Sequence, residues 1–404
     1  MAVVALVMVF GLGFVLLTVT WDCVSVWSGA GRYALDPKDT ANLENAYRDL
    51  LLKIIGGLFV VVTAFLGLRS YLLSAEAQGH QRFNKACEQL ESSTMADRLR
   101  GISELERIAQ DTPARHWEVM EILQAHLRSR TGSRPDPASE AWVSTGLPED
   151  VRRVILVFRR RRHTSEEDEQ SLDLSDLYLT GADFRGAHLQ KANLNGAHLE
   201  GATFREAHLE DSHLERASLE DADLTGAHLD RANLRRAHLD RAMFWNAHLE
   251  NAFLFKSIMV DADLTRACLD YANLRSAQAI NAGMEGASLR GANCALAELS
   301  GANLTGAHLS HARLPGAQLD SALMEGADMQ GADLGNASLY GAYLQGAQLQ
   351  GCNLREAVLE QADLSDAVQD VATVWPAGFK PSERGVQMAN SGGSRAIKVR
   401  SDTV

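Results

Sequence analysis

From Leu174 to Leu364 a large apolar residue returns at every fifth position without an insertion. Of these 39 positions, 30 are leucine, and the others are Phe184, Phe204, Phe244, Met259, Ala279, Met284, Cys294, Met324 and Met329. Two places before each sits Ala, with rare Ser, Cys or Leu. The other three places are mostly Gly, Asn, Asp, Glu, Arg, Gln or His. A period of five matches neither the helical period of about 3.6 nor the strand period of about 2. A helix would spread these leucines around its circumference, and a flat strand would send them to both faces. The pattern therefore predicts a chain that turns once per pentapeptide, with Ala and Leu inward and polar residues outward.

Four such segments close a square of 20 residues, and squares stack at the strand spacing of about 4.7–4.9 Å. Residues 20 apart then share a column. Phe184, Phe204, Phe244, Met284 and Met324 all fall in one column, which favours four sides over three or five. Each square cannot bury its own leucines. Its neighbours do so, as in other solenoids. Just under ten coils give a rod of about 47 Å.

The chain before the repeat divides into segments of different character. Residues 1–70 carry two apolar runs, Ala2–Thr20 and Ile54–Leu68. The first has no charge and is long enough to span a bilayer at about 1.5 Å per residue. Trp21 and Trp27 suit an interfacial belt. We expect a two-helix membrane hairpin here. Residues 71–130 contain amphipathic stretches, among them Leu99, Ile102, Leu105 and Ile108 on one face, and read as a small helical connector. Asp111–Thr112–Pro113 predicts a helix break. Residues 131–170 are a Pro/Gly/Ser linker with a short helix ending in Arg159–Arg162. Residues 171–369 are the repeat, and 370–404 a C-terminal cap and tail. Trp375, Pro376 and Phe379 are expected to cover the last coil, and the helical segment the first.

The five cysteines are scattered without a CxxC pair, which excludes a disulfide framework or zinc-finger spacing. Unpatterned cysteines with no signal of oxidative folding favour the cytoplasm as the expected side for the long C-terminal part. Basic residues flank the second apolar run equally, so the positive-inside count does not choose an orientation. The formal charge of −13 belongs wholly to the repeat, whose residues 171–369 hold 14 basic and 27 acidic side chains. No GxSxG, HExxH, P-loop or Rossmann motif occurs in a strand–helix context, and a regular rod has no deep pocket. The expectation is a non-enzyme with no catalytic, cofactor-binding or metal residues.

Seven histidines occur as Ala-His-Leu: His188, His198, His208, His228, His238, His248 and His308. At a 20-residue coil His188, His208, His228 and His248 form a ladder on one face, and His198 and His238 lie on the opposite one. Parallel side chains one coil apart do not converge on one ion, and no carboxylate is regularly placed with them; the ladder reads as a solvated outer strip. Like-charge repulsion makes four stacked imidazoles resist protonating together.

The stretch MFWNAHLENAFLFKSIMV (243–260) departs from the polar-outside rule. Met243, Trp245, Phe253, Phe255, Ile258 and Val260 occupy outward places within one coil. They are the candidate interaction patch, expected to be contiguous, for a protein partner or a second copy. Residues 301–351 are glycine-rich and sparsely charged, with Tyr340 and Tyr343 outward.

GADFRG, KANLNG, DADLTG, GANLTG and GADLGN resemble the A-(D/N)-L-X-X pattern of the pentapeptide-repeat family. The segment 81–130 and VWPAGFKPSERGV (374–386) are similar to the modules flanking such repeats in membrane-anchored bacterial members. The resemblance implies a mainly β fold: a right-handed quadrilateral β-helix, here preceded by two transmembrane helices and a small α-helical connector. It also implies a multi-pass protein of the bacterial inner membrane with a cytoplasmic repeat. The function expected is a membrane-anchored interaction scaffold, with no nucleic acid as partner. The alternative the family suggests is a DNA-mimic inhibitor or protector of a DNA-acting enzyme such as gyrase. Duplex DNA carries about one charge per 1.7 Å, or roughly 28 over the rod. The repeat's net charge of −13 is under half of that.

Overall fold

The computed structural model describes residues 37–133, 146–161 and 170–389. These fall into two compact units, Met1–Lys85 and Ala86–Val404. The first expected membrane run, Ala2–Thr20, lies outside the described residues.

A single helix, α1 (Pro37–Leu90), carries the second apolar run, and its last turn belongs to the second unit. It also takes in the first amphipathic stretch of the expected connector. No proline interrupts it after Pro37, and its glycines are tolerated at modest cost. Among the described residues, Asn45–Leu90 is the one segment long and apolar enough to cross a membrane, by length and composition. The described residues thus hold one candidate span of the two expected, and the other, Ala2–Thr20, lies outside them. Leu52, Val60, Val61 and Phe65 are each more than 60% exposed. An apolar surface of that extent needs a nonaqueous environment or a partner.

The second unit opens with three short helices: α2 (Met95–Asp111), α3 (His116–Thr131) and α4 (Glu149–Arg160). Thr94 caps α2, its hydroxyl accepting from the Asp97 amide, which satisfies one of the orphan donors at a helix start. Thr112 and Pro113 end α2, and Pro113–Arg115 makes a 3-10 turn into α3. Ile102, Leu105, Val119, Leu123, Leu127, Val154 and Phe158 are fully or nearly fully buried in the bundle. At its centre Asp150 is fully buried, with Arg98 Nε at 2.7 Å and His126 Nε2 and Arg130 Nε each at 3.4 Å.

The bundle sits on the first coil, as anticipated. The Tyr178 amide donates to Thr131 O (2.9 Å), Arg159 pairs with Asp183 at 2.8 Å, and Arg161 donates to His188 O. Arg160 lies 3.7 Å from Glu106. Three arginines of the 159–162 run are therefore engaged within the protein.

The repeat is a four-sided parallel β-helix. Every bridge from Asp173 to Val368 joins residues 20 apart. One pentapeptide shows the bonding of all. Leu179 N donates to His198 O (2.8 Å) and Gly181 N to Glu200 O (2.9 Å) in the next coil. The Ala182 amide closes the turn onto Leu179 O (3.0 Å). Every fifth residue from 176 to 366 has positive φ, while the residue before it does not, the signature of a type II turn. Twenty-four of these corners are not glycine, so the stacked ladder, more than local preference, holds the left-handed conformation. Inside, Phe184 and Phe204 stack at 5.1 Å, and the alanines and leucines are almost entirely buried. The last coil is closed by the parallel pair β1 (Val368–Gln369) and β2 (Gln387–Met388). Trp375 stacks on Phe379 at 5.0 Å.

Candidate functional site

The residue before each inward Leu points outward, and its chemistry differs between alternate walls. When it is Asp or Asn, its carbonyl or carboxylate oxygen accepts from the amide two residues on, as Asp183 does from Arg185 N (3.1 Å) and Asn193 from Asn195 N (3.2 Å). That amide is the one backbone donor the coil ladder leaves over. An Asx-type bond satisfies it, which is a physical reason for the D/N preference of the motif. Asp and Asn are concentrated on two opposite walls. The other two carry mostly His, Ser and Gln, which do not supply this bond, with Asp328 an exception that accepts from Gln330 N (3.2 Å). There a side chain from the coil below does so: Asp230 accepts from Glu250 N (3.2 Å), and Asp240 from Val260 N (3.1 Å).

The first His wall stacks His188, His208, His228 and His248 with ring centroids 4.8–5.0 Å apart and planes within 11°. Contrary to the expectation of no regularly placed carboxylate, an acid column runs beside it. His208 Nδ1 is 3.1 Å from Glu210, and His248 Nδ1 is 3.8 Å from Glu250. The signal lay in the sequence: in His-Leu-Glu, residues two apart on an extended segment face the same way. Burial, and then the neighbouring His248 and His208, lower the pKa of His228. Burial, and then Glu250, push Asp230 up to about 6. Burial likewise pushes the Cys268 thiol, next in the same column, up to about 12.

The opposite His wall carries Tyr178 stacked on His198 at 4.1 Å, then Ser218, His238 and Ile258. Glu200, Glu220 and Asp240 lie two residues further on in successive coils.

The six outward apolar residues of 243–260 are distributed over three walls. Met243 bridges Asp223 and Asp263, Phe253 bridges Asn233 and Asn273, and Ile258 bridges His238 and Gln278. Met243 and Trp245 thus lie on the wall opposite Phe253 and Phe255, with Ile258 and Val260 on the wall between. The pattern of a single coil becomes a girdle and not a flat patch. Met243, Trp245 and Phe253 are 42%, 44% and 36% exposed, while Phe255, Ile258 and Val260 are half-buried. Arg235 covers the Phe253 ring at 4.5 Å, and Lys256 lies over Phe255 at 5.3 Å. Such cations shield an aromatic face without excluding a partner. Trp245 and Met243 have no such cover recorded among the described residues. Tyr340 and Tyr343 are outward and each 44% exposed.

The acidic excess is interrupted on the corners. Arg231 forms a bidentate pair with Asp211 (2.8 and 2.7 Å), and Arg241 with Asp221 (both 2.7 Å).

Stacked coils of 20 residues, a type II turn at each corner and an Ala/Leu interior define a solenoid repeat protein. The chain belongs to the pentapeptide-repeat family: the family description "Pentapeptide repeats" matches in eight copies over 173–216, 217–254, 257–293, 297–336 and 337–368. HetL from the cyanobacterium Nostoc sp. strain PCC 7120, a pentapeptide repeat protein involved in heterocyst differentiation regulation, is 31% identical. That match covers 51% of this chain and 92% of HetL, with a TM-score of 0.29. Rfr23 from the cyanobacterium Cyanothece 51142 is 30% identical, over 24% of this chain and 63% of its own, with a TM-score of 0.17. QnrB1, a plasmid-mediated fluoroquinolone resistance protein, is 20% identical, over 55% of this chain and 92% of its own, with a TM-score of 0.27. A comparison with curated protein sequences returns no match. No enzyme family is indicated.

Proposed function

We propose that this protein is a non-enzymatic interaction scaffold. Its apolar helix α1 anchors it in a membrane, and its repeat presents a rigid surface to a protein partner in the cytoplasm. The observation that carries the reading is the girdle of 243–260. In a rod whose outward places are otherwise mostly polar, one coil turns Met243 and Trp245 out on one wall and Phe253 and Phe255 on the opposite one. Exposed apolar groups of this kind mark contact surfaces, and Trp and Met are enriched where partners dock. A flat partner engages one wall. We take that wall to be the Met243/Trp245 side, because Arg235 and Lys256 already cover the other pair.

Affinity capture of the full-length protein from a membrane fraction tests this, comparing Met243→Glu/Trp245→Glu with Phe253→Glu/Phe255→Glu. The first pair should lose a partner that wild type and the second pair retain. Identical partners for all three forms would sink the reading. Resistance of the protein to alkaline extraction, and a reporter fused at Val404, test the anchor and its orientation.

DNA mimicry has weaker support. The bidentate Arg231–Asp211 and Arg241–Asp221 pairs place cations on two opposite corner columns, which breaks the run of negative charge a mimic would need.

A further inference from the structure

We propose that Glu220, His238 and Asp240 form a binding site for a first-row divalent cation, with zinc as its best occupant. One ligand atom from each of the three lies within 4.8 Å of the others. Asp240 and Glu220 are stacked in one column one coil apart, and His238 stands two residues from Asp240 on the same wall. Tetrahedral ligands bound at about 2.1 Å lie roughly 3.4 Å from one another. Rotation of the flexible Glu220 side chain and of the exposed His238 ring draws the set in around one ion, and solvent can fill the remaining position.

Three further observations converge on this cluster. First, Glu220 is half-buried and its Oε2 is shielded from solvent with no hydrogen-bond partner among the described residues, an arrangement that costs free energy unless something satisfies it. Second, the neighbouring acid in the same column shows what satisfaction looks like. Glu200 takes a hydrogen bond from Thr180 Oγ1 (2.8 Å) and lies 3.1 Å from His198 Nδ1. Third, direct ion pairing stops here, although Arg241 still acts on Asp240 through space. The corner acids Asp211 and Asp221 are each neutralised by an arginine one coil above, and Arg241 is thereby already used. No ion pair joins Glu220 or Asp240 to a cation among the described residues.

Asp240 is also held in place. Its Oδ1 accepts from Val260 N at 3.1 Å, a bond that does not use Oδ2. Two carboxylates and a neutral imidazole carry a charge of about −2, which a divalent ion balances, and this donor set suits zinc better than the oxygen-only preference of calcium or magnesium.

The full-length protein, stripped with a chelator, should bind zinc chloride saturably and with one tight site by calorimetry. Cobalt substituted for zinc should give visible d–d bands. Glu220→Gln, His238→Ala and Asp240→Asn should each weaken zinc binding at least tenfold; loss of groups that only support ligands already costs 10- to 100-fold. Asp240→Asn keeps the acceptor for Val260 N, and an unchanged melting temperature without metal verifies that it folds. His228→Ala, on the opposite wall, should leave zinc affinity unchanged. The proposal is overturned by the absence of saturable binding, by equal affinity in all variants, or by loss with His228→Ala and not with His238→Ala.

Discussion

Replacing Asp150 with Asn should unravel the helical bundle that covers the first coil. The carboxylate is fully buried, and the Arg98 and His126 side chains beside it are only 12% and 7% exposed. Arg130, at 40% exposed, is screened and adds little. Asparagine keeps the volume and one acceptor but leaves the Arg98 guanidinium in a buried site without its counter-charge. Breaking a buried pair this way costs about 3–5 kcal/mol. At 1.4 kcal/mol per tenfold, that is roughly a 10²- to 10³-fold rise in local opening. Hydrogen exchange read on peptides from 95–131 and 149–160 measures it, with repeat peptides beyond 220 as the internal reference. The pH dependence has a defined sign. Burial alone would raise the Asp150 pKa, but His126, Arg98 and Arg130 outweigh it and hold the carboxyl well below the usual range. Its contribution is thus present above the unfolded value of about 3.9 and fades as pH falls through that value toward the folded one. Bundle protection that changes by less than threefold in Asp150→Asn would refute the reasoning.

At the corners, Gly181 has φ +71 and open space around a would-be Cβ. Gly181→Val therefore isolates backbone strain and should cost about 1–2 kcal/mol, whereas Arg216→Gly, at φ 59, should lower the thermal midpoint not at all. On the first His wall, Asp230 carries a raised pKa, so its contribution is present below about 3.9 and is lost as pH rises through about 6. Asp230→Asn should accordingly stabilise the rod by ~1 kcal/mol above pH 7, after allowing for solvent screening, and thermal melts at pH 4 and 8 should then differ less than in wild type. Burial pushes the Cys268, Cys294 and Cys352 thiols up to about 12. Iodoacetamide at pH 8 should leave all three unmodified in the folded protein and alkylate them in guanidinium, as peptide mass mapping would record.

How much of this was legible beforehand follows from the physics of each feature. The coil was, because an inward residue every fifth place is a geometric instruction: only a chain that turns at each pentapeptide can bury Leu174 through Leu364 together. The column of Phe184 and Phe204 even carried the number of sides. The break at Thr112–Pro113 was legible for the same local reason. The boundary expected at residue 70 between membrane segment and connector was not, since nothing between Ile54 and Leu90 marks a helix end, and an apolar stretch can run into an amphipathic one without leaving the helix.

The candidate sites divide differently. That Met243, Trp245, Phe253, Phe255, Ile258 and Val260 point outward was determined by the sequence alone, through their phase against the inward leucines. That they wrap three walls, and that Arg235 and Lys256 cover two of the rings, was decided by the tertiary structure, because adjacency across corners and coils depends on closing the square. The same holds for Glu220 and Asp240. Each is an ordinary outward acid in its own pentapeptide, and stacking one coil upon the next is what brings them together beside His238.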